Sequence, residues 1–188
     1  QAADTIVGYS LYVDQVRPWL TGNKHYLPRP IGEEIERCRE AIDLARQGRS
    51  VALVCSGDAG IYGMAGLVLE LYAEQGDAAA ADALQVVPGV TAGQSAAALL
   101  GAPLMSDYMT VSLSDLMTPW PVIRRRVQAA AEGDLVLVLY NPQSARRRRL
   151  PEVAEVLLAH RSPETPVGIV RNAGRPTQAV ARSEEHTS

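Results

Sequence analysis

Two short runs, Val51-Ala52-Leu53-Val54 and Leu135-Val136-Leu137-Val138-Leu139, are apolar at every position. That pattern limits the fold more than any other feature. A strand with one wet face alternates apolar and polar residues, whereas an unbroken apolar run suits a strand that helices cover on both faces of a parallel sheet. The strands are placed at Thr5–Gly8, Ser50–Cys55, Leu84–Val87, Met109–Leu113, Leu135–Tyr140 and Pro166–Val170, with longer helical patterns between them. This alternation makes the chain an α/β protein built from βα units around largely parallel or mixed sheets.

The helical stretches carry their own signals. In Gly32–Gln47 the apolar residues Ile35, Cys38, Ile42 and Ala45 share one face, and Gly48 follows as a stop. After Met117, Thr118 is placed to cap a helix with Pro119 in its first turn. Trp120, Ile123, Val127 and Ala130 form the inward stripe of that helix, and Gly133 ends it. A domain junction is placed near Pro103–Asp107, giving an N-terminal domain over 1–104 and a C-terminal domain over 105–181. The chain is expected to be incomplete at both ends, since it opens directly into a strand without an earlier βα unit to pair with it. The last residues, Arg182–Ser188 (RSEEHTS), resemble read-through into a sequencing adaptor, so 182–188 are expected to be foreign to the fold.

At 188 residues and 47% hydrophobic content, the chain has enough apolar material for a buried core. Its longest apolar runs are too short to cross a bilayer, and the start lacks the plan of a secretory signal, so the chain reads as cytoplasmic with no membrane partner. Cys38 and Cys55 have no Cys or His at metal spacing, and no disulfide framework or metal site is expected. A net charge of −3 gives no reason to expect nucleic acid. An anionic ligand would need a local basic patch.

Four segments are candidates for chemistry. Ser56-Gly57-Asp58-Ala59-Gly60-Ile61-Tyr62-Gly63 lies at the carboxyl end of a strand and before a helix, where open α/β sheets bind ligands. Its glycines admit backbone N–H groups to a ligand, and Asp58 offers an acceptor to a ribose hydroxyl or an ammonium group. It is not a phosphate loop, because no Gly-Lys-Ser/Thr follows, and it reads equally as a tight turn. Pro88-Gly89-Val90-Thr91-Ala92-Gly93 forms a second turn, in which Thr91 is placed to cap the next helix. Tyr140-Asn141-Pro142 ends a strand and is followed by Arg146–Arg149. These arginines are either the solvated start of a helix or contacts for a carboxylate-rich substrate, since cations at a helix N-terminus are locally unfavourable. In Val111-Ser112-Leu113-Ser114-Asp115-Leu116-Met117-Thr118-Pro119-Trp120 the polar groups serve as turn and cap residues or as site residues.

Taken together, SGDAGIYG, VVPGVTA, VSLSDLMTPW, LVLYNP and GIVRNAG resemble the tetrapyrrole methylases, in order from about Asp4 to Val180. VGYSLYVDQV, SLSDLMTPW and VRNAGR are closest to the ring-contracting, precorrin-3B carbon-17 branch of that family. The resemblance implies two α/β domains with S-adenosylmethionine in a cleft between them, and a homodimer. It implies cofactor contacts from Ser56, Gly57, Asp58, Ile61, Thr91, Ala92, Asn141 and Ala173. The macrocycle's carboxylates would meet Arg146 and Arg147. Acid–base help would come from Ser114, Asp115 or Tyr62.

The implied reaction is methylation of carbon 17 of precorrin-3B, or of cobalt-precorrin-3, with ring contraction in cobalamin biosynthesis. A sibling corrin or siroheme-pathway methyltransferase and a cofactor-binding module without turnover are the alternatives. The family's opening Gly-x-Gly-Pro-Gly-Asp loop has no counterpart here, and Ala59 stands where the family has proline. Both departures bear on cofactor binding.

Overall fold

The computed structural model describes residues 2–76, 82–144 and 147–183. By packing, the chain divides into two compact units, Gln1–Thr91 and Ala92–Ser188.

The first unit is built on β1 (Thr5–Tyr9). It continues through α1 (Ser10–Val16), a short 3-10 turn (Arg17–Trp19), β2 (His25–Arg29), α2 (Glu34–Arg46), β3 (Val51–Val54) and α3 (Ala65–Glu74). The strands form a parallel sheet in the order β2-β1-β3, with Thr5 beside His25 on one side and Val51 on the other. The central position of β1 explains why Thr5, Ile6, Val7 and Gly8 are the buried residues of this sheet. Strand β3, read in the sequence as covered on both faces, is only half-buried because it is the edge of the three.

Cys38, Ile42, Val68, Leu71 and Tyr72 form the first unit's core, where α2 meets α3. The buried face of α2 is turned from the expected stripe: Arg37, Cys38, Ala41 and Ile42 point inward, while Ile35 and Ala45 are exposed. Packing against α3 selects the i, i+3, i+4 set Cys38, Ala41 and Ile42, with Arg37 beside it, in preference to the apolar residues at the helix ends. The stop at Gly48 is present, with φ at 84°. Trp19 is 83% exposed.

The second unit comprises α4 (Ala92–Leu100), β4 (Tyr108–Ser112), α5 (Trp120–Glu132), β5 (Val136–Tyr140), β6 (Gln143–Ser144), β7 (Arg147–Arg148), α6 (Leu150–Leu158), β8 (Gly168–Arg171) and β9 (Ala179–Arg182). Strands β4 and β5 pair in parallel, with Ser112 beside Tyr140. The pairs β6–β7 and β8–β9 are antiparallel. Val111, Leu113, Ile123, Val127, Val153 and Val156 make the core, and Trp120 packs on its margin. The stripe expected on α5 therefore faces inward, although the helix starts at Trp120 with Pro119 at the cap position and no side-chain cap.

The structure differs from the sequence expectations at three further places. Residues 84–87 join no ladder, and Val87 is 67% exposed. The junction expected at 103–107 follows α4, the helix that packing assigns to the second unit. Arg182, placed with the foreign tail, ends β9 opposite Gly168 and donates from Nη2 to the Leu99 carbonyl at 2.8 Å, and Ser183 just beyond it donates its N–H to the Val167 carbonyl at 2.9 Å. Residues 184–188 lie outside the described residues. Among the described residues, no helix is long and apolar enough to cross a membrane. No group of three or more His, Cys, Asp or Glu side chains converges to hold a metal ion among them.

Candidate functional site

In the first unit the chain leaves β3 and turns at Gly57, whose φ of 71° is one that side-chain-bearing residues rarely adopt. The turn closes around Asp58. Oδ1 of Asp58 accepts the N–H groups of Gly60 at 2.7 Å and Ile61 at 3.1 Å. Oδ2 accepts the N–H of Gly89 at 2.9 Å. These bonds, that from Gly89 first, hold the Asp58 carboxyl below its ordinary range. The two turns touch so closely that a Cβ on Gly89 would sit 2.1 Å from the Gly57 carbonyl oxygen, so glycine is required there by close approach.

Asp58, read in the sequence as an acceptor for a ligand, thus spends both oxygens on backbone donors. An ionised carboxylate offers about four acceptor positions, so one further bond remains open to a ligand. Around the joined turns, Ser56, Ile61, Tyr62, Val87 and Val90 are exposed, while Thr91 is buried. Tyr62 takes a φ of 54°, outside the ordinary range for an aromatic residue. Cys38 takes no part in chemistry here: it is buried, and desolvation pushes its thiol up to about 11.

In the second unit the ends of β4 and β5 are tied together. Leu113 N–H donates to the Tyr140 carbonyl at 2.9 Å. Asn141, with φ at 50°, turns its Nδ2 to the Ser112 hydroxyl at 3.1 Å, and the same hydroxyl accepts the Ser114 N–H at 3.3 Å. Asparagine is among the few side-chain residues that tolerate this left-handed conformation, which favours it at a strand end that must turn sharply. Tyr140 Oη accepts the N–H of Gly93 in the first turn of α4 at 2.9 Å. Ala92 at the start of that helix is exposed. Asp115 pairs with Arg149, and Ser114 is half-buried.

Ala173 sits half-buried in the loop between β8 and β9. Asn172 Nδ2 donates to Thr177 Oγ1 at 2.9 Å and Gly174 N–H donates to Gln178 Oε1 at 2.8 Å, which holds that loop closed. Arg146 and the side chain of Arg147 lie outside the described residues.

The structure therefore joins Asp58 to the Gly89 turn, and Asn141 to the Ser112–Ser114 segment. It adds Ser112, Tyr140 and Arg149, to which the sequence assigned no individual role. Ser112 and Tyr140 had one available signal: both sit at the carboxyl end of a parallel strand, the side on which such sheets bind ligands.

The family model of tetrapyrrole (corrin/porphyrin) methylases matches residues 1–187. The "Probable cobalt-factor III C(17)-methyltransferase" of Salmonella typhimurium is 51% identical over 177 residues, which are 93% of this chain and 71% of that protein. The "Cobalt-factor III methyltransferase" of Priestia megaterium is 46% identical over 182 residues, which are 96% of this chain and 34% of that protein. This chain thus spans about a third of that longer relative. The crystal structure of the methyltransferase CobJ matches with a TM-score of 0.89 at 32% identity, covering 96% of this chain and 74% of that one. The chain belongs to the tetrapyrrole (corrin/porphyrin) methylase family.

Proposed function

We propose that this chain serves an S-adenosylmethionine-dependent methyltransferase that methylates carbon 17 of a precorrin-3-type macrocycle, with ring contraction, in cobalamin biosynthesis. The observation that carries the reading is the 51% identity, over 93% of this chain, to a protein named as a cobalt-factor III C(17)-methyltransferase. The alternatives of a sibling methyltransferase and of a binding module are not better supported.

The residues present fit a sulfonium nucleoside. The Asp58 turn is polar, braced and free of bulky side chains at Gly57 and Gly60, while exposed Ile61 and Val90 offer apolar surface to a base. Ser56, Gly57, Asp58, Ile61, Thr91 and Ala92 would hold the cofactor, together with Asn141 and Ala173. When bound, the cofactor supplies an electrophilic methyl group on a good leaving group.

The protein's share is chiefly alignment and exclusion of water, which rigid turns achieve better than mobile ones. Asp58 keeps the Gly57 and Gly89 turns in one geometry, and Asn141 does the same for the Ser112–Ser114 segment. Ring contraction also needs proton transfer. Ser114 and Tyr62 are the groups proposed to handle it. Asp115 faces a guanidinium and is better suited to shaping its loop. Arg146 and Arg147 are proposed to meet the macrocycle's carboxylates. We further propose a cytoplasmic homodimer.

Incubation of the full-length protein with methyl-labelled cofactor and precorrin-3, with and without cobalt, tests the reading. Label on carbon 17 of a ring-contracted product supports it. Label on another carbon points to a sibling enzyme, and cofactor binding without labelled product points to a binding module; either result overturns it.

A further inference from the structure

Arg149 closes the arginine run yet is bound unlike a solvated member of it. Its Nη1 donates to Glu152 Oε1 at 2.7 Å, its Nη2 to Asp115 Oδ2 at 3.3 Å, and its Cζ lies 4.8 Å from the centroid of the Trp120 ring. These partners come from different pieces of the second unit. Asp115 lies in the loop after β4, Trp120 opens α5, and Glu152 is in the first turn of α6. Trp120 in turn packs against the core of Val111, Leu113, Ile123, Val127, Val153 and Val156. The guanidinium is thus seated at the margin of this unit's core, and a planar fork can hold two carboxylates and an aromatic face at once where an ammonium cannot.

The apolar residues of the loop it holds are not buried. Leu116 and Met117, its apolar residues, are 87% and 85% exposed, so burial contributes little to ordering residues 114–118. One cation facing two carboxylates also has no surplus charge for an anionic ligand.

We infer that Arg149 is a positioning residue that pins the Ser114–Thr118 loop to the start of α6, and with it the orientation of Ser114, without touching substrate. The inference rests on the proposed methyl-transfer reading, in which Ser114 handles proton transfer. Arg149 thereby shapes the loop that an anionic substrate would approach.

The test uses the full-length protein with Arg149→Gln, Arg149→Lys, Asp115→Asn and the Arg149→Gln/Asp115→Asn double variant. Amide hydrogen exchange is followed over residues 113–118, S-adenosylhomocysteine binding by calorimetry, and kcat and KM with precorrin-3. Arg149→Gln is expected to speed exchange of 113–118 while leaving β4 and β5 protected, and to lower kcat/KM by roughly ten- to a hundredfold. Ligand affinity should stay within about twofold, and the double variant should lose less than the sum of the two single losses, because both single changes break the Arg149–Asp115 pair. Arg149→Lys should recover little, since it keeps the charge but loses the fork.

Full recovery by Arg149→Lys, additive losses in the double variant, unchanged exchange in the loop, or loss of protection throughout β4 and β5 would each overturn the inference. If the unmutated protein transfers no methyl group, the proposed function fails, and the exchange measurements still decide whether Arg149 pins the loop.

Discussion

Asp58 Oδ2 accepts the backbone N–H of Gly89 at 2.9 Å across 31 residues of chain, so the turn after β3 and the turn before Thr91 are held as one body. The carboxylate closes its own turn through Gly60 and Ile61 with its other oxygen. Replacing it by an amide puts a donor where one of the backbone donors now points. Asp58→Asn is therefore expected to keep the fold and to weaken catalysis on the order of a hundredfold by misplacing both turns. Cofactor titration and steady-state kinetics of the full-length protein check this; affinity and rate equal to those of the unmutated protein would rule it out.

Gly89→Ala probes the same junction from the other side. Its Cβ would lie 2.1 Å from the Gly57 carbonyl oxygen, which is backbone and cannot swing away. The turns must separate, at a cost of about 1–3 kcal/mol. Urea denaturation of Gly89→Ala should show that loss, whereas Gly66→Ala should show little, since a Cβ there meets nothing within 4 Å.

At the end of β5, Asn141 combines a φ of 50° with a bond to the Ser112 hydroxyl. Asn141→Gly keeps the backbone preference and loses the bond. Asn141→Ala loses both, and should be less stable than Asn141→Gly by about 1 kcal/mol. A double-mutant cycle with Ser112→Ala should show coupling, because the two single changes remove one hydrogen bond. Additive effects would mean that the pair is incidental.

Acid stability has a readable source at the start of β1. The Asp4 carboxylate accepts bonds from the Thr5 hydroxyl, from Arg49 Nε at 2.9 Å and from the Ser50 N–H at 3.2 Å, joining β1 to the approach of β3. These bonds, that from Thr5 first, lower its pKa from 3.8 to about 2. A depressed carboxylate stabilises the folded state fully above its unfolded value and progressively less as pH falls toward its folded one. The contribution should thus fade between 3.8 and about 2. A carboxyl titration followed by NMR should place Asp4 near the lower limit, and Asp4→Asn should flatten the acid limb of the stability curve over that window.

Much of the architecture is legible in the sequence because burial writes itself into periodicity. The runs at Val51 and Leu135 are strands, and Ile123, Val127 and Ala130 face the core as spaced. Strand β2 leaves no such mark, for a physical reason. His25-Tyr26-Leu27-Pro28-Arg29 is an edge strand, where a proline and polar residues are tolerated because one side needs no ladder donor. The converse holds at Leu84–Val87, where β-branched residues suggest a strand but Val86 and Val87 stand in solvent.

Of the site, the turn residues are visible in the sequence as glycine and asparagine at strand ends. What Asp58 and Arg149 do is not. Each is defined by partners remote in sequence, Gly89 for one and Asp115 for the other, and a single sequence does not record such contacts.

The placement of the two tryptophans gives the molecule a built-in optical reporter. Trp19 is already 83% in water, so unfolding changes its surroundings little, whereas Trp120 leaves both the core margin and the Arg149 cation. Intrinsic fluorescence during denaturation should consequently follow the second unit, and melting of the first must be followed by another signal, such as the reactivity of the buried thiol at Cys38.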